Sequence, residues 1–352
     1  MGQKNCSNFI ELISNKMDPL SQGTVGAAFA QSSANKNNLL KVGLVGFLAG
    51  LAPDLDVLIQ SSTDPILFLE YHRQFSHSLF FIPFGSFIVA LLIFPLIRKS
   101  MSFKTVYIAS LLGYATHGLL DACTSYGTLL FWPFSNERIT WNNISIVDPL
   151  FTIPALILVG TAIKTQKRIF SFFSIGWIIF YLTLGFVQYE RALSGANELA
   201  KSRGHDAERL TLKPSFGNLI LWKSIYEYQD VFYVDAIRTV QSSTVCLGES
   251  ISIFNYQQHL PGLDKKSQQA KDIERFRWFS QDYLGFDEGK NLVTDVRYSM
   301  LPNEIEAMWG LVIDDQQDLT EHAIWWTGRD LDQSQWNLFL DMLSGKECKN
   351  RI

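Results

Sequence analysis

Four short clusters of metal-capable side chains lie in the first half of the chain: Asp18 in MDPLSQ, Asp54 and Asp56 in PDLD, His72 and His77 in HRQFSHS, and His117 with Asp121 in HGLLD. On a helix, His117 and Asp121 share a face, where an imidazole nitrogen and a carboxylate oxygen can bind one cation. Asp54 and Asp56 follow Pro53, a helix breaker, so the pair is not forced onto opposite sides as it would be on a strand. Imidazole and carboxylate without thiolate suit zinc, manganese or iron. A divalent cation with an open position lowers the pKa of bound water to about 7 and polarises a phosphoryl or acyl oxygen, which makes metal-assisted hydrolysis the expected reaction class. Each cluster also has a plainer reading. Asp18 or Asp54 can cap a helix or close a turn, His72 and His77 can be polar residues at a membrane interface, and His117 with Asp121 can be an interhelical hydrogen bond. Ser76 and Ser78 flank His77, but no G-x-S-x-G elbow surrounds either.

The elements that must position these groups are apolar. The chain has 352 residues, with 12 Lys/Arg and 9 Asp/Glu in residues 1–189 against 18 and 25 in the last 163. From Gln74 to Asn136 the only charged side chains are Arg98, Lys99, Lys104 and Asp121, too few to solvate a surface helix. Apolar segments run over Pro19–Ser33, Leu39–Pro53, Ser78–Ile97, Thr105–Cys123, Pro149–Ile163 and Phe170–Gln188. The expected fold is an α-helical membrane bundle of four to six such segments, the first two forming a re-entrant hairpin in one arrangement, followed by a soluble α+β C-terminal domain. The expected boundaries are an N-terminal extension over 1–17, a membrane-embedded metal-site domain over 18–189 and a soluble tail over 190–352. Strands are expected at Asn218–Ile225, Val231–Val240, Leu292–Tyr298 and Met308–Ile313, and helices at Arg191–Arg203, Gln268–Phe279 and Asp332–Leu343.

Three connections, Asn35–Lys41, Arg98–Lys104 and Lys164–Arg168, carry eight Lys/Arg and no acid, whereas Asp54–His77 and Thr124–Asp148 carry only Arg73 and Arg138 among several acids. The positive-inside rule makes the first set cytoplasmic and puts the four clusters at the external ends of their segments, with the tail outside as well. An ionised Asp inside an apolar helix is costly unless paired or metal-bound, and four clusters at one depth is the pattern of a shared site. Asp148, at the mouth of the fifth segment, is expected to cap it, and the aromatics of Tyr126–Phe134 to form interfacial scaffold. The formal charge of −4 and the lack of a basic stripe argue against nucleic acid. Cys6, Cys123, Cys246 and Cys348 form no C-x-x-C and are expected to be passive thiols. Met1–Met17 lacks the apolar stretch of a cleaved signal peptide.

Taken jointly, Asp18–Gln22, Pro53–Asp56, His72–Ser78 and His117–Gly127 resemble the motifs of the YdjM-type bacterial inner-membrane metal-dependent hydrolases, in the longer branch that begins D-P-L-T-Q. Ser21 and Ser76 stand where Thr is usual, and Gln22 where many members place His. The resemblance implies a bacterial inner-membrane protein, in which the external side assigned by the loop charges is the periplasmic one. It implies a metal set drawn from Asp18, Asp54, Asp56, His72, His77, His117 and Asp121, with zinc first and manganese or iron as alternatives. His77, Arg73 and Asp56 are the residues expected at the reaction, Arg73 neutralising a phosphate oxygen. A more distant likeness to zinc-dependent phospholipase C and its nuclease relatives tilts the substrate towards a phosphoester or lipid-linked ester, with membrane lipid as the partner. The alternatives are a membrane metal-binding or transport protein, and a structural anchor whose function lies in the C-terminal domain.

Overall fold

The structure is a computed structural model that describes residues 18–240, 242–314, 316–328, 332–346, 348 and 350–351. The extension over 1–17 and Cys6 lie outside the described residues.

All six apolar segments are helical: α1 (Pro19–Ser32), α2 (Leu39–Leu51), α3 (Ile82–Ile97), α4 (Phe103–Cys123), α5 (Pro149–Thr165) and α6 (Ile169–Ser202). Two stretches, Leu79–Ile97 and Ile169–Ser202, are long and apolar enough to cross a membrane. At 14 and 13 residues, α1 and α2 fall short of the ~20 that a span needs. Helix starts follow the sequence. Pro19 and Pro149 occupy first-turn positions, and Asp18 and Asp148 cap those turns with their carboxylates. Asp148 accepts from the Leu150 and Phe151 amides and from Tyr181 Oη at 2.8 Å, so its capping role accounts for its burial.

The first unit of the chain, Met1–Ile59 with Tyr71–Gly185, contains the site. Its close helix approaches run through glycine. A Cβ on Gly26 would lie 2.5 Å from the Gly46 carbonyl oxygen, and one on Gly113 would lie 2.8 Å from Gly46 Cα. Thus α1, α2 and α4 touch backbone to backbone, the way helices pack where small residues line the seam. Around this seam Ala30, Leu39, Val42, Val45, Ala90, Val106 and Ala109 form a buried apolar cluster.

The second unit is Gln60–Glu70 with Phe186–Ile352. It holds a five-stranded antiparallel sheet, in the order β1 (Arg209–Pro214), β2 (Leu221–Tyr228), β3 (Val231–Thr239), β4 (Ser243–Ser252) and β9 (Asn350–Arg351). A four-stranded antiparallel sheet follows the chain order β5 (Leu284–Asp287), β6 (Leu292–Asp295), β7 (Trp309–Val312) and β8 (Ile324–Thr327). Period-2 alternation gives the larger sheet two buried faces. Trp222, Ile237 and Val245 pack on Ala192, Ala196 and Leu199 of α6, while Leu221, Ala236 and Cys246 pack with Phe339 and Met342 of the last helix, Gln333–Ser344.

The structure differs from the sequence expectations at three places. The helix expected at Arg191–Arg203 is no separate element but the end of the 34-residue α6, because no Gly-Pro break interrupts the run from Phe186 to Leu199. The strand expected to reach Tyr298 stops at Asp295, where the Asp295 carboxylate accepts from the Arg297 amide and closes a turn. The cysteines are not all passive thiols: Cys246 and Cys348 form a disulfide, whereas Cys123 is free and buried. A separation of 102 residues gave the sequence no spacing signal for that bond.

Candidate metal centre

Pro53 ends α2 and turns the chain into a 3-10 stretch over Ala52–Leu58, which sends Asp54 and Asp56 to different partners. A second 3-10 turn, Phe75–His77, carries His77, and α4 carries His117 and Asp121 one turn apart. Gly118 makes this juxtaposition possible, since any Cβ there would run into the His77 carbonyl. Tyr114 Oη fixes the same turn from α4 by donating to the Ser76 carbonyl at 2.8 Å.

Asp54, His77, His117 and Asp121 each aim one donor atom into a common point, the four atoms lying within 4.8 Å of one another. The Nε2 atoms of His77 and His117 are 2.9 Å apart. Asp121 Oδ2 is 3.0 and 3.4 Å from them, and Asp54 Oδ1 is 3.5 and 3.4 Å away. Donors on one cation at ~2.1 Å are separated by roughly 3.0 Å in octahedral and 3.4 Å in tetrahedral geometry, so the spacing fits a shared ion. His117 and Asp121 are wholly buried, and His77 and Asp54 are 2% and 6% exposed.

The hydrogen bonds around these four identify what the converging atoms are. His117 Nδ1 faces the Gly50 carbonyl oxygen at 2.5 Å, which can only accept, so Nδ1 carries the hydrogen and a neutral ring presents a lone pair at Nε2. His77 Nδ1 lies 3.2 Å from Asp56 Oδ2 and 3.0 Å from Ser76 Oγ, whose own hydrogen goes to Asp56 at 2.7 Å. His77 is therefore held in the same tautomer by a carboxylate, as metal-binding histidines are. Among the described residues, buried Asp54 Oδ1 and Asp121 Oδ2 meet only the Nε2 atoms of the two histidines. With both rings neutral, two imidazole lone pairs and two carboxylate oxygens face each other in a protein interior, an arrangement that repels unless a proton or a metal cation lies among them. With the imidazoles neutral, Asp54, Asp56 and Asp121 against Arg73 leave two negative charges, which a divalent ion would cancel.

The remaining sequence candidates take other positions. Asp56 sits behind the histidines: it accepts from His72 Nδ1 at 2.7 Å, from the Arg73 amide at 3.0 Å and from Ser76, so its oxygens are committed away from the converging point. His72 stands one step out, against Asp56. Asp18 is not brought to the group, since its carboxylate caps α1 through the Leu20 amide and Ser21 Oγ. Arg73, 1% exposed and at φ 63°, places a guanidinium 3.4 Å from Asp121 Oδ1, 3.2 Å from Thr124 Oγ1 and over the Tyr126 ring at 5.2 Å. A bulky residue held in the left-handed region marks a backbone that its surroundings over-determine, here by Leu129 N–H on the Arg73 carbonyl at 2.9 Å. Gln22, which the sequence marks only as a departure from the resembled motif, is a neighbour of the group. Its Nε2 donates to Asp121 Oδ1 at 3.0 Å and so orients a carboxylate of the group. The Gly50 carbonyl was missed, and no side-chain signal could have found it.

The fold and site define a helical N-terminal unit with a buried His/Asp centre able to hold a metal ion, in a chain with two helices long and apolar enough to cross a membrane. The chain belongs to the YdjM inner membrane protein family, whose model matches residues 17–192 and so takes in every side chain of the centre. A 114-residue stretch is 28% identical to the uncharacterized protein YfhP of Bacillus subtilis (strain 168), covering 32% of this chain and 34% of that protein. The chain therefore spans about a third of the length of the curated relative it matches. No solved structure gives a significant match.

Proposed function

We propose that this chain is a multi-pass membrane hydrolase in which Asp54, His77, His117 and Asp121 hold a divalent cation, zinc first and manganese or iron(II) as alternatives. The observation that carries the reading is the convergence of two imidazole nitrogens and two carboxylate oxygens, all buried and within 4.8 Å of one another. When bound, such an ion supplies a Lewis acid that acidifies water and polarises a phosphoryl or acyl oxygen. The chain's own residues set that chemistry up: Asp56 and the Gly50 carbonyl orient the histidines, and Gln22 and Arg73 fix Asp121. Arg73 is the one cation in the group and the side chain best suited to meet a phosphate oxygen, which favours a phosphoester or a lipid-linked ester as substrate. Membrane lipid is the natural source of both.

Two assays test this. Detergent-purified protein is expected to hydrolyse bis(p-nitrophenyl) phosphate or a phospholipid, to lose more than about tenfold of that rate on chelation, and to regain it with one added equivalent of zinc or manganese. Hydrolysis indifferent to chelation, or none with any phosphoester in the metal-loaded protein, contradicts the proposal. For sidedness, the eight Lys/Arg of the basic loops and the Cys246–Cys348 bond both favour an external C-terminal unit, since disulfides persist in oxidising compartments. In a Cys6→Ser, Cys123→Ser background, a membrane-impermeant maleimide should label intact cells only after an impermeant reductant. Labelling that requires cell lysis would put the unit inside. Conduction is disfavoured as a second reading because α1, α2, α3 and α5 contain no Asp, Glu or His that could continue a path.

A further inference from the structure

The segment Gln60–Glu70 groups with the C-terminal unit, although the residues on either side of it belong to the unit that carries the centre. Its two ends run directly into the site motifs. Gln60 lies four residues after Asp56, and Glu70 lies two before His72. Within the C-terminal unit one side chain grips this segment. Arg275, on the helix Gln268–Phe279, donates from Nη2 and Nη1 to both oxygens of Asp64 at 2.8 and 3.1 Å, and from Nε to Glu70 at 2.5 Å. Paired donation of this kind fixes direction as well as distance, which a lysine cannot do.

The guanidinium is itself held from behind. Its Nη1 also meets Asp272 Oδ1 at 3.1 Å, and the wholly buried Asp272 accepts on Oδ2 from His322 Nδ1 at 2.9 Å and from the Ala323 amide at 3.0 Å. Apolar contacts reinforce the grip: Phe68 meets Trp325 edge-on at 5.2 Å, Trp325 meets Phe276 at 5.8 Å, and Ile66 and Leu69 are buried. The segment is far more constrained than an 11-residue connection needs to be. Its downstream end feeds the stretch in which Arg73 takes φ 63°, its amide donates to Asp56, and His77 reaches the centre.

We infer that Arg275 is a positioning residue for the metal centre: by gripping Asp64 and Glu70, the C-terminal unit sets the conformation of the His72–His77 motif. This assigns the C-terminal unit, which lies almost wholly outside the family match, a task in the site's chemistry, and it rests on the metal reading above. The test uses the full-length protein in detergent, with zinc as the probe. Arg275→Gln, and separately the double variant Asp64→Asn with Glu70→Gln, are expected to weaken zinc binding by about tenfold, at the low end of what removing a partner behind a ligand does. Combining all three changes should add little, because both variants remove the same interaction. Arg275→Lys, which keeps the charge and loses the fork, should fall between. Hydrogen exchange at the Arg73 and His77 amides should accelerate in the same variants, a change that does not require metal. The C-terminal fold is checked by the Cys246–Cys348 bond, which must stay unreactive to alkylation without reductant.

If the folded variants bind zinc as wild type does, the inference is overturned whatever the exchange shows. If wild type binds no metal, the metal reading fails instead. Exchange then decides the inference alone: faster Arg73 and His77 exchange in Arg275→Gln supports it, and unchanged exchange overturns it.

Discussion

Replacing His117 by alanine is expected to abolish metal binding, with zinc affinity falling by at least about a hundredfold and hydrolysis falling with it, while the helical fold survives. The asymmetry follows from what the ring does. Its Nδ1 donates to the Gly50 carbonyl, and its Nε2 is one of four donors within 4.8 Å of one another. Removing it deletes a ligand and leaves Asp54 and Asp121 buried as opposed carboxylates, a pair that then takes up protons rather than a cation. The apolar environment changes little, because α4 stays packed through Gly113 and Tyr114. His117→Gln separates the parts: it retains a polar group near Gly50 without restoring the imidazole ligand, so it should recover stability but not metal. Isothermal titration with zinc beside thermal unfolding reads both. A His117→Ala protein that binds zinc as tightly as wild type would remove His117 from the ligand set.

The second large effect is structural. Gly46→Val is expected to destabilise the first unit by about 3 kcal/mol, because the new side chain would collide with the Gly26 carbonyl and with Ala30, neither of which can move without shifting a helix. The unfolding midpoint should drop by roughly 6–12 °C, and metal binding should weaken because α2 leads directly into Pro53 and the turn bearing Asp54. Gly160→Val is the control. A Cβ on Gly160 meets nothing within 4 Å, so its midpoint should stay within about 2 °C of wild type. Equal behaviour of the two variants would refute the backbone-to-backbone seam of α1, α2 and α4.

What the sequence disclosed follows the range of the physics involved. His117 and Asp121 were legible as a pair because helical periodicity puts i and i+4 on one face, and the structure keeps them there. The six apolar segments were legible for the same local reason. The division of labour within PDLD was not. Which carboxylate turns to the histidines and which stands behind them depends on a 3-10 turn after Pro53 and on partners 16 to 20 residues away, His72, Arg73 and Ser76. Asp18 had the composition of a ligand and the position of a cap, and its carboxylate serves the nearby Leu20 amide and Ser21 hydroxyl. Gln22 reads as a lost histidine in sequence, yet in three dimensions it holds Asp121. The grip of Arg275 on a segment some 205 residues earlier and the Cys246–Cys348 bond are long-range pairings with no local signature.

The claim on which the rest depends is that two imidazoles and two carboxylates hold one metal ion. X-ray absorption at the metal edge of the protein, purified in detergent and loaded with one equivalent of zinc, tests it directly. The account predicts a first shell of nitrogen and oxygen only, at about 2.0–2.2 Å, with the outer-shell scattering of two imidazole rings and no sulfur. Sulfur in the first shell, the spectrum of hydrated zinc, or the scattering of fewer than two imidazoles would contradict it.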